Sequence, residues 1–145
     1  MKKLLVILAI LAALLLGGYK VYTALQRGKA VGGTAVAEFH SALNAGKDAE
    51  IYDAAAAAFR SSTTKDAFLK FIGDMRTELG AFKSVGSQSV NLNNNNGNTT
   101  LGIGCISLFE KGEAEENFVF DYNSERPLLL RYDVKKKIGA TTNAP

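Results

Sequence analysis

The spacing of apolar residues changes once along this chain, at Gly80, and that change restricts the fold more than any other feature. Before Gly80, four apolar residues recur at i, i+4, i+7 and i+11, which predicts a helix with one buried face. These residues are Phe68, Ile72, Met75 and Leu79. After Gly80, apolar and polar residues alternate, as they do in half-buried strands. Helices followed by antiparallel strands predict an α+β domain.

Three helices are expected before this change. The first runs from an N-cap at Thr34 to about Ala45 and ends at Gly46, and the second runs from Asp48 to Phe59. The third begins at Thr63 or Thr64 and closes at Gly80.

Four strands in a meander are expected after Gly80. They cover residues 85–92, 99–109, 117–122 and 128–134, and residues 93–98, which contain an Asn-Gly pair, are predicted as a hairpin loop. One face of the second strand carries Leu101, Ile103, Cys105 and Phe109. In the fourth strand, Leu128, Leu130, Tyr132 and Val134 are expected to share a face, because side chains alternate along a strand.

The first 27 residues predict a membrane-targeting segment. Lys2 and Lys3 precede an apolar run from Leu4 to Leu16, as in a secretory signal. That run is shorter than the roughly 20 residues of a spanning helix, but apolar character continues to Leu25 across Lys20. We expect an uncleaved signal anchor, with a cleaved signal peptide as the alternative. The positive-inside rule then places the rest of the chain outside the inner membrane, in the periplasm or at the cell exterior.

Three further segments complete the domain organisation. The glycine-rich residues 28–33 are interpreted as a linker, residues 34–134 as one folded domain and residues 135–145 as a flexible tail. In the hairpin after Phe109, Glu113, Glu115 and Glu116 form an acidic cluster interpreted as a solvated edge, with divalent-cation binding as the alternative, although the spacing is not that of a calcium loop.

Charge and composition exclude several functions. The chain has 17 basic and 14 acidic residues, but the four basic residues at positions 2, 3, 20 and 27 precede the domain, leaving 13 against 14 from Gly28 onward. A nearly neutral domain argues against nucleic-acid binding. Cys105 is the only cysteine and His40 the only histidine, so neither a disulfide nor a histidine-rich metal site is expected. No cofactor motif is present either, because Gly102 and Gly104 lie in a strand rather than before a helix.

Several short motifs resemble those of small bacterial membrane-anchored proteins of unknown function that have a nuclear-transport-factor-2-like, or cystatin-like, domain. They are Phe39-His40, Leu43-Asn44-Ala45-Gly46, Ile51-Tyr52, Phe59-Arg60, Phe68, Leu79-Gly80, and Phe109-Glu110-Lys111-Gly112 with Ala114, Glu116 and Phe118. The resemblance spans roughly residues 34–134 and implies a cone in which helices pack on a curved four-stranded sheet. Enzymes of that superfamily, such as isomerases and cyclases, place an Asp, and often a Tyr or His, inside the cone.

Five residues are therefore candidates for a site. Asp53 and His40 are the candidate acid or base groups of a small cavity enzyme, although the favoured interpretations are a solvated carboxylate for Asp53 and a helix residue at the core margin for His40. Tyr52, Tyr122 and Tyr132 are candidates for lining a small-molecule pocket.

The leading hypothesis is a membrane-tethered, non-enzymatic binding or accessory domain. Its partner would be another protein, a second copy of the chain or a small apolar ligand. The alternative hypothesis is a cavity enzyme that uses Asp53 or His40.

Overall fold

A computed structural model describes residues 2–123 and 126–137, apart from the side chains of residues 2–18 and of Val21. Within these residues, helices come first and a four-stranded antiparallel sheet follows, as an α+β fold requires. The helices are α1 (Lys2–Asn44), α2 (Asp48–Ala54), α3 (Ala57–Ser62) and α4 (Lys65–Leu79). The strands are β1 (Phe82–Asn95), β2 (Asn98–Phe109), β3 (Gly112–Asp121) and β4 (Leu128–Lys136).

Helix α4 confirms the prediction that was based on the spacing of its apolar residues. Its four predicted core residues are buried, and Ile72 is fully inaccessible. The Thr64 hydroxyl accepts a hydrogen bond from the Ala67 backbone N–H, so Thr64 is the N-cap. Gly80 ends the helix with φ of 76°, a conformation that glycine adopts without strain.

The predicted helix from Asp48 to Phe59 is wrong in one respect, because Ala55 and Ala56 interrupt it. Both have extended ψ angles, 163° and 149°. The Ala56 N–H donates to the Leu129 carbonyl of β4 at 2.9 Å. A continuous helix would use that N–H internally, so the interruption connects the helices to the sheet.

The sheet is a meander in the order β1-β2-β3-β4. Its first turn contains Asn96 and Gly97 with φ of 51° and 84°, the positive values that a two-residue hairpin needs, so the predicted hairpin is confirmed. Its loop is shorter than the predicted 93–98, because β1 continues to Asn95 and β2 begins at Asn98.

The predicted shared face of β4 is wrong for Leu128 and Leu130, because the strand contains a bulge, whereas Tyr132 is buried and Val134 packs against the core as predicted. Val119 pairs with Arg131 but Phe120 pairs with Leu129, which leaves Leu130 without a partner in β3. The extra residue shifts the alternation, so Leu129 and Tyr132 are the buried residues of β4.

The segment 28–33, predicted as a linker, is helical, and Thr34 is inside α1 rather than at its N-cap. The Thr34 hydroxyl donates to the Ala30 carbonyl one turn earlier. Gly28 and Gly32 are buried one turn apart. A Cβ on Gly32 would collide with Ile103 Cδ1. These glycines therefore allow α1 to approach β2 closely and do not provide flexibility.

The direction of α1 follows from its contacts with β1. Asn44 exchanges two hydrogen bonds with the Phe82 backbone at the start of β1, whereas Gly28 lies against Leu92 near its end. The nine helical residues from Gly28 back to Tyr19 cover about 13 Å, and so do the four strand residues from Leu92 to the hairpin turn. Helix α1 therefore reaches the level of the hairpin turn near Tyr19. Tyr19 is 67% exposed. The remaining N-terminal part of α1 extends beyond the sheet.

In the part of the chain whose side chains are described, no helix has the length and apolar character of a membrane span. The predicted membrane segment, Leu4–Leu16, lies outside that part and stays a prediction. So does the predicted flexibility of the tail, whose residues 138–145 are not described. Its beginning is ordered in β4, which extends to Lys136.

We expect Gly32→Leu to destabilise the fold by about 1–3 kcal/mol, because the new side chain would collide with Ile103 and Leu101 in a packed core. Gly33→Leu is the matched control, since nothing lies within 4 Å of a Cβ at Gly33. Its helix propensity should make it neutral or stabilising. Urea unfolding of the two variants tests this, and equal stability would contradict the close packing of α1 on β2.

Candidate functional site

A charged side chain lies at the centre of the fold. Along β3, Ala114, Glu116, Phe118 and Phe120 face the helices and are buried, while Glu115 and its alternate neighbours face outward. Glu116 is 0% exposed. The predicted solvated acidic cluster is therefore wrong for Glu116, because its position in the alternation matches that of the core aromatic residues.

Two donors from different layers bind this carboxylate. His40 Nε2 on α1 lies 2.9 Å from Glu116 Oε2 and 3.1 Å from Oε1. The Tyr132 hydroxyl on β4 donates to Oε1 at 2.6 Å and lies 3.3 Å from the Met75 sulfur. We call His40, Glu116 and Tyr132 the Glu116 network. It joins α1, β3 and β4 through hydrogen bonds inside the core.

The network favours the ionised form of Glu116. Burial alone raises the pKa of Glu116, but the hydrogen bond and charge interaction with His40, helped by Ser107 and Tyr132, outweigh burial and lower it below 4.5. Burial and the Glu116 charge together raise the pKa of Tyr132, so its hydroxyl stays a donor. The same two causes raise the pKa of Cys105, the cross-strand neighbour of Glu116, to about 11. Cys105 is therefore an unreactive buried thiol.

The His40 ring is held by aromatic side chains. It stacks on Phe82 with a centroid distance of 3.6 Å and an interplanar angle of 3°. Phe39, Phe109 and Phe118 meet it edge-on. His40 Nδ1 is buried and has no hydrogen-bond partner among the described residues.

Ser107 Oγ likewise lacks a partner with good hydrogen-bond geometry among the described residues, although it lies near enough to Glu116 to help lower that pKa. The contact between Ser107 Oγ and Glu116 is therefore weak. Each unpartnered buried polar group costs about 1–3 kcal/mol.

The other predicted site residues lie elsewhere. Asp53 is 60% exposed, and both of its carboxylate oxygens accept hydrogen bonds from Lys65, at 2.9 and 2.8 Å. The Tyr52 hydroxyl donates to the Thr63 carbonyl at 2.7 Å and so joins α2 to the start of α4. Tyr122 is partly buried just after β3. The structure thus brings His40 and Tyr132 together through Glu116, whereas Asp53, Tyr52 and Tyr122 lie outside the Glu116 network.

Open grooves lie on two sides of α1. The α1–α2 groove, of about 330 Å³, has an apolar floor that includes Phe39, Ile51 and Phe120 and a rim that includes Glu38 and Glu50. None of the five predicted site residues lines it.

The α1–β1 groove, of about 440 Å³, lies on the opposite side of α1, and His40 contributes to its wall. Its lining residues are Gly33, Val36, Ala37, His40, Ser41, Asn44, Phe82, Lys83, Val85 and Gln88. Among the described side chains, no group of three His, Cys, Asp or Glu residues is placed to hold a metal ion.

No protein-family model matches the chain, and neither a curated protein nor a solved structure matches it.

We expect Glu116→Ala to destabilise the fold by about 3 kcal/mol or more, because it leaves two buried donors, on His40 and Tyr132, without an acceptor. Glu115→Ala on the outward face of the same strand should stay within about 0.5 kcal/mol of the wild type. Chemical denaturation of both variants measures the difference, and a Glu116→Ala protein as stable as Glu115→Ala would contradict the network.

The lowered pKa of Glu116 also predicts a pH dependence. A carboxyl group whose pKa is lower in the folded state stabilises the fold above its ordinary value of 4.5 and loses that contribution as the pH falls through the folded value. The thermal midpoint should therefore fall steeply below pH 4.5, and less steeply in Glu116→Gln. Glu115→Gln should keep the wild-type slope. Parallel wild-type and Glu116→Gln curves would show that another group controls acid unfolding.

Proposed function

We propose that the protein is a non-enzymatic binding domain that helix α1 holds at the outer side of the inner membrane. One observation carries the proposal: α1 runs without interruption from Lys2 to Asn44, so the apolar N-terminal run and the His40 side of the core belong to the same helix. A domain joined to its targeting segment by a helix is suited to a fixed position at a membrane.

The described residues next to that run support the anchor. Tyr19, Tyr22 and Leu25 are 67%, 60% and 43% exposed, on the part of α1 nearest the hairpin turn. Exposed tyrosines at the end of an apolar helix are typical of the membrane interface. Lys2 and Lys3 before the run favour a cytoplasmic N-terminus.

The geometry of the acidic and basic groups supports binding over catalysis. His40 Nε2 is committed to Glu116, and that carboxylate is 0% exposed. Asp53, the other candidate base, is paired with Lys65 at the surface. A general base must reach a substrate proton within hydrogen-bonding distance. The cavity-enzyme alternative therefore has less support than a binding role.

Helices that precede a four-stranded antiparallel meander, with an open groove between α1 and α2, also support membership in the nuclear-transport-factor-2-like, or cystatin-like, superfamily. That fold serves enzymes and binding proteins alike, so the proposed binding role depends on the side chains rather than on the fold.

We expect the full-length protein to stay with the membrane pellet after alkaline carbonate extraction and to dissolve only in detergent. A variant lacking residues 2–18 should become soluble, because it loses the apolar run. A variant lacking residues 138–145 is the matched truncation control and should remain in the pellet. Recovery of the full-length protein in the soluble fraction would overturn the anchor.

A further inference from the structure

The two edges of the sheet differ in how well they are protected from pairing with another strand. Four of the nine residues of β4 are charged, namely Arg131, Asp133, Lys135 and Lys136, and charges on an edge discourage strand addition. Strand β1 is longer, with 14 residues, and its only charge is Lys83. It has no proline and most of it is exposed. Of the two edges, β1 is therefore the one open to an added strand.

Bulges limit the part of β1 that can pair. Its register with β2 shifts between Phe82 and Ser84 and again between Val85 and Ser87. Bulges twist an edge away from new partners. From Ser87 to Asn95 the register is unbroken, so the pairing surface is this nine-residue stretch, which we call the β1 edge.

The α1–β1 groove lies beside the beginning of the β1 edge, on the side of the sheet that the helices cover. Small residues on α1, Gly33, Ala37 and Ser41, form one wall, and Val85 and Gln88 belong to the strand. Val85 and Gln88 pair with the buried residues Ser107 and Cys105, which places both on the inner face of the sheet, yet both are exposed. A strand added to β1 would direct alternate side chains toward this space.

The direction of α1 decides which occupant fits. Two copies pairing through β1 would be antiparallel and related by a two-fold axis. Because α1 is antiparallel to β1, and its N-terminal part leaves the domain at the hairpin end, the two anchors would point in opposite directions. They could not enter one membrane. This step rests on the proposed membrane anchor, and it favours a different protein as the partner.

We infer that the β1 edge binds an extended segment of a partner protein by strand addition, with one apolar side chain of that segment in the α1–β1 groove. The segment is about nine residues long, carries little charge and lacks proline, since it must supply backbone donors and acceptors along the strand.

The test uses the full-length protein in lipid nanodiscs and a phage-displayed library of nine-residue peptides with apolar residues at alternate positions. Enriched peptides are synthesised and their affinity is measured by fluorescence anisotropy. We expect binding to weaken about tenfold or more when alternate backbone amides of the peptide are N-methylated, because two or more net hydrogen bonds are lost.

Matched variants locate the binding surface. Asn91→Lys puts a charge on the β1 edge and should weaken binding to a similar degree, whereas Asn117→Lys puts the same charge on the same outer face of the central strand β3 and should have no effect. Ala37→Phe should fill the groove and weaken binding. Ala30→Phe, at another exposed position of α1, should not.

Three results would overturn the inference. They are a library without enriched peptides, peptides whose binding survives both N-methylation and Asn91→Lys, and a dimer of the full-length protein that Asn91→Lys dissociates. The last result would make a second copy the occupant. Failure of the proposed anchor is seen separately as carbonate-soluble protein, and the peptide assay can then be run without lipid.

Discussion

The pairing of Glu116 with His40 and Tyr132 is the interaction on which the packing of the helices against the sheet depends. A carboxylate placed inside a protein is tolerated only when donors replace its lost hydration. Here the donors come from α1 and β4, so the charge is stable only when the helix and both strands are in register. Apolar contacts alone tolerate a small shift of a helix along a sheet. A shift of α1 here would separate His40 from Glu116 and leave the buried charge without one of its donors. The network therefore specifies one alignment of α1 on the sheet more strictly than the surrounding phenylalanines do.

Much of the fold was predictable because it depends on local periodicity. The core positions of α4, the Asn96-Gly97 hairpin and the four-stranded meander each follow from spacing that a single segment contains. The helix interruption at Ala55 and the bulge at Leu130 were not predictable in this way. The first is set by a hydrogen bond from Ala56 to Leu129, 73 positions later, and the second by pairing with β3.

The candidate site was only half predictable. His40, as the only histidine, and Tyr132 are identified as candidates from the sequence, but the candidate carboxylate is Asp53 rather than Glu116. The signal for Glu116 is present in β3, where the pattern Ala114-x-Glu116-x-Phe118-x-Phe120 places it on the aromatic side of the strand. Neighbouring glutamates hid that signal, since composition suggested a solvated edge. His40 is 76 residues away, and no local pattern indicates that the two meet.

The close packing of α1 on the sheet at Gly28 and Gly32 fixes the orientation of the domain relative to its N-terminal helix. A glycine-rich linker would let the domain rotate freely, but a helix packed on the sheet transmits rotation from one end to the other. Each residue of an α-helix turns the chain by about 100° and advances it by about 1.5 Å. In the proposed membrane-bound state, the number of residues between the apolar run and Gly28 therefore sets the rotation of the domain about the α1 axis, and with it the direction in which β1 faces parallel to the membrane. A single insertion there would leave the packing of Gly28 and Gly32 on the sheet intact and still turn the proposed β1 binding edge away from a partner fixed in the same envelope.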